Sequence, residues 1–195
     1  MPSLKHSKPD RLILIGCSTG GPGHLHKIVK SLTHDFSATL IIAQHITNKF
    51  IPSFISQLNK ESKIEVLRGN DKIPILRGKI YVCSNVSRLK NVNSHLILEQ
   101  TTNIAKGYNP DINILFSSAA KLADCYHMLG IIMTGIGDDG AQGIKELAQK
   151  GASCIAESES SAIVYGMPLQ AKLRVKDINQ KHLDDIITSI NRFGR

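Results

Sequence analysis

A serine inside a glycine-rich turn is the first group in this 195-residue chain that could act as a nucleophile. Gly16-Cys17-Ser18-Thr19-Gly20 fits the G-x-S-x-G pattern, which exposes a serine hydroxyl on a tight turn between a strand and a helix. The same turn, continuing through Gly21-Pro22, also suits a phosphate cradled at a helix N-terminus, or no ligand at all. A serine needs a base to take its proton, and imidazole titrates near neutral pH; a carboxylate must in turn hold that imidazole in the right tautomer. Gln44-His45, after the run ATLIIA, supplies an imidazole. Thr134-Gly135-Ile136-Gly137-Asp138-Asp139-Gly140, after LGIIM, supplies two adjacent carboxylates, and residue chemistry alone allows either.

These three turns carry meaning only if the fold brings them to one place. Apolar bursts of strand length recur with helix-like segments between them, the pattern of an α/β, doubly wound, mostly parallel sheet with helices on both faces. Strands are expected at about 11–16, 38–44, 64–67, 79–83, 95–98, 129–134 and 152–156. Helices are expected at 22–33, 49–60, 111–125, 141–150 and 179–193, with Pro22 and Pro110 where helix starts tolerate proline. Between 64 and 98 the bursts are too close for crossover helices, so that stretch reads as an antiparallel excursion at one edge of the sheet. In such a sheet, ligands collect beyond the carboxyl ends of the strands, where Ser18, His45 and the Asp138-Asp139 pair all fall. An α/β-hydrolase would run serine, acid, histidine, with its serine after several strands. Ser18 follows the first strand, and His182, the only histidine after Asp139, falls in the expected last helix, so the order serine, histidine, aspartate is preferred.

Composition narrows the remaining classes. At 195 residues, 42% hydrophobic and 21% charged, the chain suits one globular domain and not a disordered or fibrous protein. The first ten residues, MPSLKHSKPD, read as a disordered or linker-like segment (1–10) without a secretory apolar region, ahead of a single domain over 11–195. That start and the free-thiol pattern of the cysteines point to the cytoplasm; the apolar runs are too short for membrane insertion. Cys17, Cys83, Cys125 and Cys154 include no C-x-x-C pair, which argues against a structural metal, and Cys17 is expected to pack while Ser18 faces the site. His24 and His26 do not share a helix face and read as solvated surface. Twenty-four Lys and Arg against 16 Asp and Glu give a net charge of +8. The basic residues are scattered, Trp is absent and no nucleic-acid motif appears, so nucleic acid is not the expected partner. Lys27, Lys30, Lys49 and Lys60 form either a solvated helix face or a surface for an acidic partner.

Four segments, LILIGCSTGGP, IIAQHI, IIMTGIGDDGAQG and SSAIVYGMP, together resemble the catalytic domain of the chemotaxis protein-glutamate methylesterase family, CheB, in that family's order. The resemblance covers residues 11 to 193. It implies hydrolysis of glutamyl methyl esters on the cytoplasmic helices of chemoreceptors, with release of methanol, and in some members deamidation of receptor glutamines, with no cofactor. By matching motifs, Ser18 is similar to the family nucleophile, His45 to its base and Asp139 to its orienting acid. Ile136 stands where the family usually has a methionine whose backbone N–H helps form the oxyanion hole, and Thr19 matches the threonine beside the nucleophile. Asn113 stands where an acidic residue is common. Family members usually carry a receiver domain ahead of this one, for which 195 residues leave no room. Two other readings stand beside the esterase: a phosphate- or nucleotide-binding module, whose loop would here lack the G-K-[ST] of a Walker motif and the third spaced glycine of a dinucleotide site, and a receptor-docking pseudoenzyme.

Overall fold

The computed structural model describes residues 8–101 and 108–195. Of the expected linker 1–10, residues 1–7 lie outside the described residues; Pro9 is buried, and the Asp10 carbonyl accepts a hydrogen bond from His127 N–H at 3.0 Å. The chain runs β1 (Arg11–Cys17), α1 (Gly21–Ser31), β2 (Thr39–Gln44), a 3-10 turn (Asn48–Phe50), α2 (Ile51–Glu61), β3 (Val66–Arg68) and β4 (Ile80–Val82). It continues through β5 (Val86–Val92), β6 (His95–Thr101), α3 (Ile112–Ala120), β7 (His127–Ile132) and α4 (Ala141–Gln149). The last elements are β8 (Ser153–Glu157), α5 (Met167–Arg174), β9 (Asn179–Lys181) and α6 (Leu183–Phe193).

Seven strands form one parallel sheet in the order β3-β4-β2-β1-β7-β8-β9, and β5 and β6 form a separate antiparallel hairpin. The doubly wound architecture is therefore as expected. Within β1, Leu12 and Leu14 point into a core shared with α3, α4, α5 and the hairpin, while Ile13, Ile15 and Cys17 point into a second core shared with α1, α2 and α6. A strand buried on both faces has no polar alternation, which is why β1, β2 and β7 read as continuous apolar runs. Among the described residues no helix is long and apolar enough to cross a membrane.

The structure corrects three details. The first is the 64–98 stretch, where β3 and β4 pair in parallel at the sheet edge; the antiparallel part is confined to the hairpin and the Pro74–Ile97 bridge. The hairpin closes on Asn93-Ser94, both with positive φ, the two-residue turn whose twist matches paired strands. Secondly, the expected helix 179–193 begins only at Leu183, behind the short strand β9, with His182 as its N-cap. Lastly, α5, absent from the sequence reading, occupies the segment after Gly166.

The order of strands reverses at β1: the chain steps outward through β2 and β4 on one side and through β7, β8 and β9 on the other. The crevice beyond the carboxyl ends of β1, β2 and β7 is the place where such a sheet leaves room for a ligand.

Candidate active site

Register explains how two of the three turns meet. Cys17 at the end of β1 pairs with Gln44 at the end of β2, so the next residues, Ser18 and His45, leave adjacent strands side by side. The His45 N–H donates to the Cys17 carbonyl at 3.0 Å. Gln44, almost fully buried, ties the two turns together: its Nε2 donates to the Ser18 and His45 carbonyls at 3.0 Å each, and its Oε1 accepts from Cys17 Sγ at 3.2 Å. Cys17 is the packing residue expected; burial, followed by the charge of Glu157, pushes its thiol well above the ordinary range, so it is no competing nucleophile. The turn itself depends on Gly20, whose φ of +86° suits only glycine well and where a β-carbon would lie 2.7 Å from Ile163 Cβ.

The third turn delivers its carboxylate from below. Asp139 is completely buried, and its Oδ2 lies 2.8 Å from His45 Nε2. The same Oδ2 accepts from the Ile112 N–H at 2.9 Å, and Oδ1 accepts from the Asn113 N–H at 3.0 Å. Asp139 thus sits on the N-terminus of α3, where unpaired N–H groups and the helix dipole favour an anion. Asp111 caps that helix through the Ile114 N–H at 2.7 Å; burial lifts its carboxyl above the ordinary range. Asp138 faces outward, and among the described residues its carboxylate meets Arg174 alone, at 3.4 Å. Because Nε2 of His45 is committed to Asp139, Nδ1 is the nitrogen left to exchange a proton.

Around this pair lie the other expected residues. Thr19 and Ile136 are both exposed at the mouth, Ile136 at 63%. The Ile136 N–H has no acceptor among the described residues. A β-carbon at Gly135 would come within 2.8 Å of Ser18 Cβ, so the loop carrying Ile136 runs directly against the Ser18 turn. Asn113 caps α4, its Oδ1 accepting from the Gln142 and Gly143 N–H groups at 3.0 and 2.9 Å. An amide oxygen serves that purpose as well as a carboxylate.

Two residues escaped the sequence reading, and a third was placed wrongly by it. Tyr108 stacks on His45 with ring centroids 4.9 Å apart and planes 4° from parallel; its neighbours in the sequence carry no periodic signal. Glu157 ends β8 and is completely buried. His24 is its neighbour, with Nδ1 3.3 Å from Glu157 Oε1, and it is buried instead of solvated as expected, because its face of α1 turns toward the end of β8. His26 sits apart, 3.3 Å from Glu61, and no metal-ligating cluster occurs among the described residues. A cleft of about 1050 Å³ lies at the opposite, amino end of the sheet, among Arg11, His127, Ser153, Lys181 and Arg192, away from all of this chemistry.

Glu157 also makes the fold sensitive to acid. Burial alone would raise its carboxyl, but the neighbouring His24 imidazole and the hydrogen bonds from Ser161 and the Thr134 N–H outweigh that and hold it below the ordinary value of 4.5. A folded-state value below the unfolded one gives stability that is full above pH 4.5 and is lost as pH falls through the lowered value. Glu157→Gln, which cannot titrate, should therefore flatten the acid side of a Tm-against-pH curve below about pH 4.5. A curve parallel to that of the parent chain would show that Glu157 does not contribute to acid unfolding.

Known proteins resemble this chain in sequence and fold. A family model described as CheB methylesterase matches residues 13–190. The protein-glutamate methylesterase/protein-glutamine glutaminase of Bacillus subtilis is 36% identical over 197 residues, covering 97% of this chain and 55% of that protein. One from Carboxydothermus hydrogenoformans is 36% identical over 180 residues, covering 88% and 51%. The chain thus spans about half the length of these curated relatives. The crystal structure of the Thermotoga maritima CheB methylesterase catalytic domain superposes with a TM-score of 0.83 at 25% identity, covering 95% of this chain and 98% of that one. The family model takes in all three turns, from the serine elbow through the Gln44-His45 strand end to the Asp138-Asp139 loop, and so this chain belongs to the CheB methylesterase family.

Proposed function

We propose that this chain is a serine esterase that demethylates glutamyl methyl esters on the cytoplasmic helices of chemoreceptors, and that it deamidates receptor glutamines by the same route. The observation that carries the reading is the buried Asp139 carboxylate on His45 Nε2, with Ser18 placed beside His45 by strand register. Ser18 Oγ attacks the ester carbonyl while His45 Nδ1 takes its proton, and Asp139 stabilises the imidazolium. The Ile136 N–H, with Thr19 beside it, receives the oxyanion. As the C–O bond to methoxide breaks, His45 returns the proton and methanol leaves. Water then repeats the sequence on the acyl-enzyme, giving the glutamate carboxylate and free Ser18. With glutamine, the leaving group is ammonia. The residues at the site need no cofactor for these steps, and an acyl transfer of this kind suits the cytoplasmic face of a receptor.

The test is methanol release from methylated receptor. Lys27, Lys30, Lys49 and Lys60 are all exposed on or beside α1 and α2, and the chain carries +8, so long-range attraction should assist an acidic receptor but not a small neutral ester. Raising salt from 0.1 M to 1 M shortens the Debye length from about 10 Å to about 3 Å. Receptor turnover should fall while turnover of the small ester barely changes. An equal response of both substrates would make the basic surface a solvated face only, and absence of methanol from both would remove the esterase reading.

A further inference from the structure

Asp139 and Glu157 are the two fully buried carboxylates among the described residues, and the mechanism above uses only the first. A buried carboxylate persists where several donors converge on it, and those around Glu157 converge from the back of the nucleophile turn. Its Oε2 accepts from the Thr134 N–H at 2.8 Å and its Oε1 accepts from Ser161 Oγ at 2.6 Å, while His24 Nδ1 lies 3.3 Å from Oε1. Thr134 passes the restraint forward. Its carbonyl accepts from the Ser18 N–H at 2.9 Å, while its hydroxyl donates to the Thr19 carbonyl at 2.8 Å and accepts from the Val164 N–H at 2.9 Å. The next residue, Gly135, exchanges bonds with the same segment, donating to Val164 at 3.0 Å and accepting from Met167 at 2.9 Å.

Every polar atom of Thr134 is therefore committed, and the carboxylate holds the one N–H that neither the Ser18 turn nor the 160–168 segment takes. We propose that Glu157 is a positioning residue for ester hydrolysis, which fixes Thr134 so that the Ser18 turn and the Gly135-Ile136 backbone keep their mutual placement. It acts from behind and touches no substrate. The segment SSAIVYGMP, which supplies no group to the chemistry, takes its place here as the second wall that Thr134 joins to the turn. Placement of this kind matters for rate because a displacement of about 1 Å at a reacting group can cost on the order of 10². The inference rests on the esterase reading and makes it more specific.

The experiment uses the whole chain with Glu157→Ala, Glu157→Gln and Thr134→Val. Reactive serine is counted with a fluorophosphonate, so that kcat is expressed per competent site, and a small neutral methyl ester gives KM. Glu157→Ala should lower kcat per labelled site by about 10–100-fold with KM nearly unchanged, and Glu157→Gln, which keeps an acceptor for the Thr134 N–H, should recover most of the loss. A merely structural role would lower the number of competent sites or the Tm and leave kcat per site unaltered; that result overturns the proposal. If Glu157→Ala does not fold, Thr134→Val decides, since it keeps the N–H and loses both hydroxyl bonds: a fall of several-fold in kcat per site supports the restraint, and an unchanged value overturns it. A parent chain that neither labels nor hydrolyses the ester overturns the esterase reading, whereas parent turnover with unaltered variants overturns this inference alone.

Discussion

Ser18→Ala is expected to reduce ester turnover by a factor on the order of 10³ or more, equivalent to about 4 kcal/mol of transition-state stabilisation, and to abolish fluorophosphonate labelling. The fold should not change. Ser18 contributes its backbone to the structure, through the N–H bonded to Thr134 and the carbonyl bonded to Gln44 and Gly21, and alanine keeps all three bonds. The Ser18 side chain is only partly buried and has no hydrogen bond among the described residues, so its loss should alter stability by no more than about 0.5 kcal/mol. The expected signature is an unchanged Tm with methanol release at background. Turnover near that of the parent would remove Ser18 from the mechanism and move attention to a water activated by His45.

The two halves of that expectation differ in how far they could be read from the residues alone. The serine turn was legible because glycine punctuates the end of an apolar run at Gly16 and again at Gly20-Gly21, local signals that need no knowledge of partners. The sheet was legible for a related reason: strands buried on both faces must be apolar throughout, as β1, β2 and β7 are. Shorter or half-polar elements carried no such mark. β5 alternates buried Val86 and Leu89 with exposed Arg88 and Lys90 and is not marked as a strand of its own within the expected antiparallel excursion, and α5 buries only Met167, Pro168 and Ala171 over eight residues. The parallel pairing of β3 with β4 depends on where the chain returns after residues 69–79, which spacing does not encode.

Residues that act through long-range partners were the least legible. Glu157 looks like any acidic residue at a strand end, and His24 like one of two histidines on a polar helix; only the parallel packing of β8 beside β7, with α1 above, makes them a buried pair. Tyr108 is similar, since nothing near it in the chain announces a ring laid flat on His45. The divergence at Asn113 becomes intelligible only when its side chain is seen capping α4 while its N–H serves Asp139. The local pattern around Ser18 could be read directly, whereas its environment is a property of the tertiary structure.

The choice between Asp138 and Asp139 is where the geometry makes its sharpest demand. Asp139→Asn should lower kcat by roughly 10²–10⁴, whereas Asp138→Asn should stay within about tenfold of the parent. The reason lies in the three donors on the buried carboxylate. Oδ2 receives His45 Nε2 and the Ile112 N–H, and Oδ1 receives the Asn113 N–H. An asparagine has one acceptor oxygen. If that oxygen takes the Oδ2 position, its NH2 opposes the Asn113 N–H and leaves a buried donor unpaired, at about 1–3 kcal/mol of stability. If it takes the Oδ1 position, the NH2 faces both the Ile112 N–H and His45 Nε2. His45 must then accept at Nε2 and carry its proton on Nδ1, the nitrogen that has to be free to deprotonate Ser18. Either orientation harms the enzyme, one through the fold and one through the tautomer. Asp138, by contrast, is exposed and loses only a 3.4 Å contact with Arg174, a pair worth little at the surface. Steady-state kinetics on the small ester, with Tm measured in parallel, distinguishes the cases. A larger loss from Asp138→Asn than from Asp139→Asn would transfer the orienting role to the exposed carboxylate and require the loop to rearrange when substrate binds.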